Sequence, residues 1–219
     1  MPRLAQSTKT KKQVVSEFRQ SEIITAARRV FAEKGYIAAT VDEIAALAAL
    51  AKGTIYVYFE SKEQIYNAVL EDDLKALLAL TLEKIAAAAT AREKISAYVN
   101  ARFKYCEERR DFFRIMYIEP SGSPVLSKAK AHEWLREPVR QLTMAIESAI
   151  AQKQIRPWPA ETLAWTVADL TTGALQRRLA TTPTTTARED ADFLIEFINA
   201  ALHPLQTGNS HVENSHLEN

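Results

Sequence analysis

The 219-residue chain has one cysteine and five glycines, and no apolar run approaches the ~18–20 residues that a membrane span requires. A lone Cys106 excludes a disulfide within the chain and fits a reducing interior, where its expected role is that of a small core residue. The N-terminus has no signal-peptide apolar core, so the expectation is a soluble, cytoplasmic protein with no membrane partner. Alternating strand patterns are missing too, which leaves helix as the main element. The chain has no glycine-rich phosphate loop and no nucleophile elbow. His132-Glu133 is followed by Arg136 where a zinc-protease helix needs its second histidine. His203, His211 and His216 lie in a polar end without cysteine companions. The expectation is therefore no enzyme: no catalytic residue, no metal site and no cofactor.

Net charge is also small, at +1, but it is unevenly spread. Residues 1–62 hold ten Lys or Arg against six Asp or Glu, whereas the remainder holds eighteen against twenty-one. That asymmetry suggests a basic module on a mildly acidic body. Within the basic part, residues 1–15 carry Arg3, Lys9, Lys11 and Lys12 without an apolar period. They read as a flexible arm, either merely solvated or able to follow phosphates.

What is present is a sequence of helix signals. Ile23, Ala27, Val30 and Phe31 recur at helical spacing from about Ser16, and Gly35 suits the helix end. Thr40-Val41-Asp42-Glu43 has the pattern of a capping box and opens a short helix to about Ala48. After a tight break, Lys52-Gly53-Thr54-Ile55-Tyr56-Val57-Tyr58 forms a second short helix. Ser61-Lys62-Glu63-Gln64 then starts a long one reaching about Ala88, roughly 40 Å at ~1.5 Å per residue. Two short helices around a tight turn are the layout of a helix-turn-helix, whose second helix enters the DNA major groove.

The rest reads as an all-α body. Helical runs are expected near 91–110 and 111–118, then a break at Glu119-Pro120-Ser121-Gly122-Ser123-Pro124. A further run covers 125–153, with Pro138 either kinking it or opening a new segment. Arg156-Pro157-Trp158-Pro159 punctuates the chain before two last helices, 160–180 and 187–202. The boundaries expected are an arm at 1–15, a DNA-binding head at 16–62, a body at 63–203 and a flexible tail at 204–219.

Residues 23–69 resemble the DNA-binding head of TetR-type repressors. The match runs from Ala26-Ala27 and Val30-Phe31 through Glu33-Lys34-Gly35-Tyr36, Thr40-Val41 and Ile44-Ala45. It continues over Lys52-Gly53-Thr54-Ile55-Tyr56, Tyr58-Phe59 and Ser61-Lys62-Glu63. The chain departs from the family's usual Gly-Val-Ser at the turn, with Ala49-Leu50-Ala51 in its place. Alanine in a left-handed turn position costs roughly 1 kcal/mol, and losing a hydroxyl cap about as much again.

The resemblance implies a three-helix head joined by a long helix to a helical body that binds an effector and dimerises. Its expected partners are a double-stranded DNA operator, a small-molecule effector and a second copy of the chain. The DNA-contacting candidates are Thr40, Lys52, Gly53, Thr54, Tyr56, Tyr58 and Lys62. Lys52 and Thr54 stand at the start of the recognition helix, where side chains reach base edges or phosphates. Thr40 and Lys62 lie at helix starts that favour an anion, though Thr40 is equally explained as a cap.

Helices 160–202 are the candidates for dimerisation, as the resemblance implies, or else they close the monomer's own core. Leu163, Val167, Leu170 and Ala174 form one stripe there, and Phe193, Leu194, Phe197, Ile198, Ala201 and Leu202 another. The effector candidates are Tyr98, Arg102, Tyr105, Phe112, Phe113, Met116, Trp134, Trp165 and Asp169. They are aromatic walls with a few polar groups, suited to a largely apolar or aromatic ligand and individually equally at home in a plain core. A rival from another class is a helical adaptor or lipid-carrying protein with a non-functional repressor-like head.

Overall fold

A computed structural model describes residues 10–117 and 128–203, which are all-helical. The expected arm up to residue 9, the break at 119–124 and the tail at 204–219 lie outside the described residues. Three helices form the head: α1 (Lys11–Ala38), α2 (Val41–Leu47) and α3 (Lys52–Tyr58). The long α4 (Lys62–Ala87) leads into a body of α5 (Ala91–Glu108), α6 (Arg110–Tyr117), α7 (Lys128–Ala151), α8 (Ala160–Ala180) and α9 (Ala187–Ala201).

Local chemistry explains most of the boundaries. Thr10, Thr40, Thr90 and Thr186 each accept a hydrogen bond from the amide three residues on, and the Gln or Glu at that position returns one. These reciprocal caps satisfy amides that a helix start otherwise leaves without partners. The first corrects an expectation. Lys11 to Val15 are helical, not an arm, because Thr10 and Gln13 form a capping box well before the apolar period begins. Gly35, at φ 74° and ψ 169°, interrupts α1 as expected of a glycine, in backbone space closed to other residues. Pro138 neither starts a segment nor ends one; α7 runs through it.

The body packs α4 on α5, α5 on α9 and α7 on α8, while α1 reaches out of the head to touch α4 and α6. Buried apolar residues run continuously from Ile23 and Phe31 in the head through Leu70 and Leu77 to Phe103, Phe112, Leu142 and Val167 in the body. Head and body therefore share one core. Cys106 is buried there, and burial pushes its thiol up to about 11, which removes it from thiolate chemistry at neutral pH. No helix among the described residues is long and apolar enough to cross a membrane.

Candidate nucleic-acid interface

The break between α2 and α3 is built by backbone bonds. The amide of Leu50 donates to the carbonyl of Ala45 at 2.9 Å, and that of Ala49 to Ala46 at 3.2 Å. This pair is the Schellman arrangement, which requires a left-handed residue after the helix, and Ala49 takes it at φ 55°. Ala51 then stands at the start of α3 with no side-chain cap. Both departures noted in the sequence thus fall on positions where glycine and serine would fit better.

Helix α3 is anchored by one fully buried residue, Ile55, with Phe59 closing its end against the same core. Leu50 and Tyr58 pack partly against that core and Thr54 is half-buried. The opposite face, Lys52, Gly53, Tyr56 and Val57, is exposed, with Tyr56 at 47% and Val57 at 77%. Two large apolar or aromatic groups on so small an element serve no folding purpose there. A Cβ on Gly53 would meet nothing within 4 Å, so internal packing does not demand glycine. Its small size keeps the outer surface of α3 low.

Charge around α3 is organised by α2. The ammonium of Lys52 donates to the Asp42 carboxylate at 2.8 Å, and this bond raises the lysine's pKa, keeping it firmly charged. Thr40 caps α2, with Glu43 bonding back to its amide at 3.0 Å. A hydrogen bond from Lys34 and the Thr40 amide hold the Glu43 carboxyl below the usual range, tying α2 to α1. Lys62 differs from its expectation. Its ammonium donates to the carbonyls of Tyr36, Ile37 and Ala39 at 2.7, 3.3 and 2.9 Å, and sits 4.4 Å from the centre of the Tyr36 ring. An ammonium has three donors, and all are used in closing the end of α1. Lys62 is a structural staple in this arrangement, with no donor left for a phosphate.

The effector candidates separate into groups. Tyr105, Phe112 and Phe113 are buried in mutual edge contact, with ring centres 5.0–6.3 Å apart. Arg102 is buried one turn before Tyr105, and its guanidinium lies 5.5 Å from the centre of the buried Tyr98 ring. Met116, Trp134 and Trp165 are half-buried against the same core. Asp169 is exposed on α8 and does not join them. Two residues escaped the sequence reading: Arg28 and Asp73, both buried and ion-paired at 2.7 Å. Asp73 was detectable, since it interrupts the apolar period Val69, Leu70, Leu74, Leu77 at an inward position.

The same arrangement of residues is found in known proteins. Residues 23–69 match the family described as bacterial regulatory proteins, tetR family. The head of the chain is thus of the tetR type. It is 29% identical over 135 residues to the fatty acid metabolism regulator protein of Bacillus subtilis, covering 62% of this chain and 70% of that protein. Three other curated relatives are aligned over only 42–45% of their own length.

The fold matches that of the transcriptional regulator FadR from Bacillus subtilis, solved in complex with stearoyl-CoA. The TM-score is 0.72 at 22% identity, over 84% of this chain and 99% of that one. It also matches AibR, solved with isovaleryl coenzyme A and operator DNA, with a TM-score of 0.67 at 18% identity, over 82% of this chain and 97% of that one. Within the matched segment, α2 and α3 form the helix-turn-helix of the head. Among the described residues no group of three or more His, Cys, Asp or Glu side chains is placed to hold a metal ion.

Proposed function

We propose that this chain is a dimeric transcriptional repressor that binds a pseudo-palindromic operator through α3 and is released by a small, largely apolar or aromatic effector. The observation that carries this reading is the outward face of α3, where Tyr56 and Val57 stand in solvent while Ile55 is fully buried on the opposite side. Lys52 and Thr54 at its start, together with Tyr56 and Tyr58, are the proposed base and phosphate contacts. Gly53 lets the backbone approach, and Thr40 offers a hydroxyl beside the α2 amides.

One recognition helix reads only a few base pairs, so two must sit about 34–36 Å apart on the duplex. The exposed Leu170 of α8 and Phe193 and Phe197 of α9 are the proposed contact between protomers. For the effector, the cluster around Tyr105, Phe112 and Phe113, with Arg102 and Tyr98 beside it, supports an apolar ligand carrying an anionic group. Met116, Trp134 and Trp165 complete the proposed wall; Asp169, on the surface, is left out of it. Two similar folds were solved with acyl thioesters of coenzyme A, which makes that class the first to test.

The test selects genomic fragments with the purified chain and titrates the best duplex against salt. A repressor loses affinity steeply as salt rises, by counterion release, and long-chain acyl-CoA raises the dissociation constant. A flat salt response would sink the reading. It would favour a helical adaptor or lipid-carrying protein instead, a role that the strained Ala49 turn and the uncapped Ala51 keep in contention.

A further inference from the structure

The two oxygens of one buried carboxylate are divided between head and body. Asp73, on α4, is 1% exposed. Its Oδ2 accepts a 2.7 Å hydrogen bond from Nε of Arg28 on α1, whose second nitrogen donates to Asp72 at 3.0 Å. Its Oδ1 accepts from the Tyr105 hydroxyl of α5 at 3.1 Å, and the same hydroxyl lies 3.2 Å from the Asp73 carbonyl oxygen. Arg109 approaches Oδ1 at 4.0 Å from the end of α5. The Tyr105 ring in turn meets Phe112 and Phe113 edge-on, at 6.1 and 6.3 Å.

From this juxtaposition we infer that Asp73 is a latch. It fixes the angle of α1, and with it the head, according to the position of Tyr105 in the aromatic cluster. Breaking a buried ion pair from one side leaves a charge uncompensated, which is strongly unfavourable. The contact therefore holds fully or exchanges as a unit, which is how a sub-ångström shift becomes a switch between two arrangements. A ligand that wedges between Tyr105 and Phe113 turns the tyrosine ring and withdraws its hydroxyl. Asp73 then loses its body-side hydrogen bond, keeping only the more distant Arg109 there, and the anchor of Arg28 is loosened. Arg28 and Asp73 are positioning residues that touch neither DNA nor effector, and Tyr105 passes the ligand's contact on to them.

The inference deepens the repressor reading and rests on it only for the DNA measurement below. Tyr105→Phe keeps the ring against Phe112 and Phe113 and removes only the hydroxyl, while Asp73→Asn keeps the shape and removes the charge. Amide hydrogen exchange of the full ligand-free chain reports on α1 around Arg28 without any ligand. Each variant is expected to speed exchange there about tenfold, the scale of one lost hydrogen bond to a charged group, and to weaken binding to a selected operator duplex comparably. The double variant is expected to do no more than the larger single one, because both act on one network.

If Tyr105→Phe lowers only the melting temperature and leaves α1 exchange unchanged, or if the two effects add, the latch is overturned. Should Asp73→Asn fail to fold, Tyr105→Phe alone decides. Failure of the parent chain to bind any duplex would remove the repressor reading but leave the exchange result standing.

Discussion

Two phenylalanine pairs in the body have opposite fates. Phe112 and Phe113 in α6 are fully buried, with ring centres 5.0 Å apart at a steep angle. Phe193 and Phe197 in α9 lie one turn apart, nearly parallel at 6.4 Å, and are 68% and 57% exposed. Adjacent residues on a helix point in different directions, so burying both rings of the first pair needs neighbours on two sides of α6. Residues four apart share a face, so the second pair forms one apolar stripe that no described element covers. The first pair stabilises the protomer; the second is available to another molecule.

The largest expected effect tests the buried pair. Phe113→Ala removes a ring with no exposure and should cost about 3–5 kcal/mol, read as a lowered denaturant midpoint. Phe193→Ala should leave the protomer within about 0.5 kcal/mol of the parent when measured at concentrations where no dimer persists. Equal losses at the two positions would end the distinction. Next in size, Phe193→Asp combined with Phe197→Asp should shift sedimentation from dimer to monomer. Operator affinity should fall by about a hundredfold or more, since charges placed in an apolar contact remove its central anchors. A dimer that survives both charges would place the contact elsewhere.

The same contrast shows what the sequence disclosed. Apolar periodicity placed α4, α8 and α9 almost to the residue, because each carries a long stripe and a cap or proline at its border. Periodicity does not say whether a stripe faces its own core or a partner. Phe193 and Leu194 look alike as letters, yet Leu194 is buried and Phe193 exposed. The helix-turn-helix was legible because its residues sit at fixed offsets. The Lys62 staple was not, since its three acceptors are carbonyls 23–26 residues away in sequence. Arg28 was hidden for the same reason: its partner is 45 positions away. The start of α1 was missed differently, because Val14, Val15 and Phe18 are exposed and give no inward period.

A smaller effect extends the comparison to the head, where Tyr56 is the counterpart of Phe193: a large ring left in solvent. Tyr56→Ala should leave thermal stability and dimer unchanged while weakening operator binding about tenfold, as expected for one ring lost from an interface. Tyr58→Ala should instead lower stability as well, because that ring packs partly on the core. Fluorescence anisotropy with a labelled duplex, read beside a melting curve, separates the two. If Tyr56→Ala changes neither measurement, the exposed face of α3 has another use.

The smallest effects concern the turn that aims α3. Ala49 holds φ 55°, where its Cβ crowds the following carbonyl at a cost of roughly 1 kcal/mol. Ala49→Gly removes that crowding but gives the unfolded chain more freedom, so the net gain should be below about 1 kcal/mol. Ala51→Ser supplies the missing cap and should add about 0.5–1 kcal/mol, with the serine oxygen accepting from an amide in the first turn of α3. The two substitutions act on one turn, so combining them is more informative than either alone. Tighter operator binding by the double variant, with no change in sedimentation, would mean that the alanines limit how firmly α3 is presented. Stability that falls on Ala49→Gly would show the left-handed alanine to be relaxed. The head's weak point would then be the uncapped start of α3 alone.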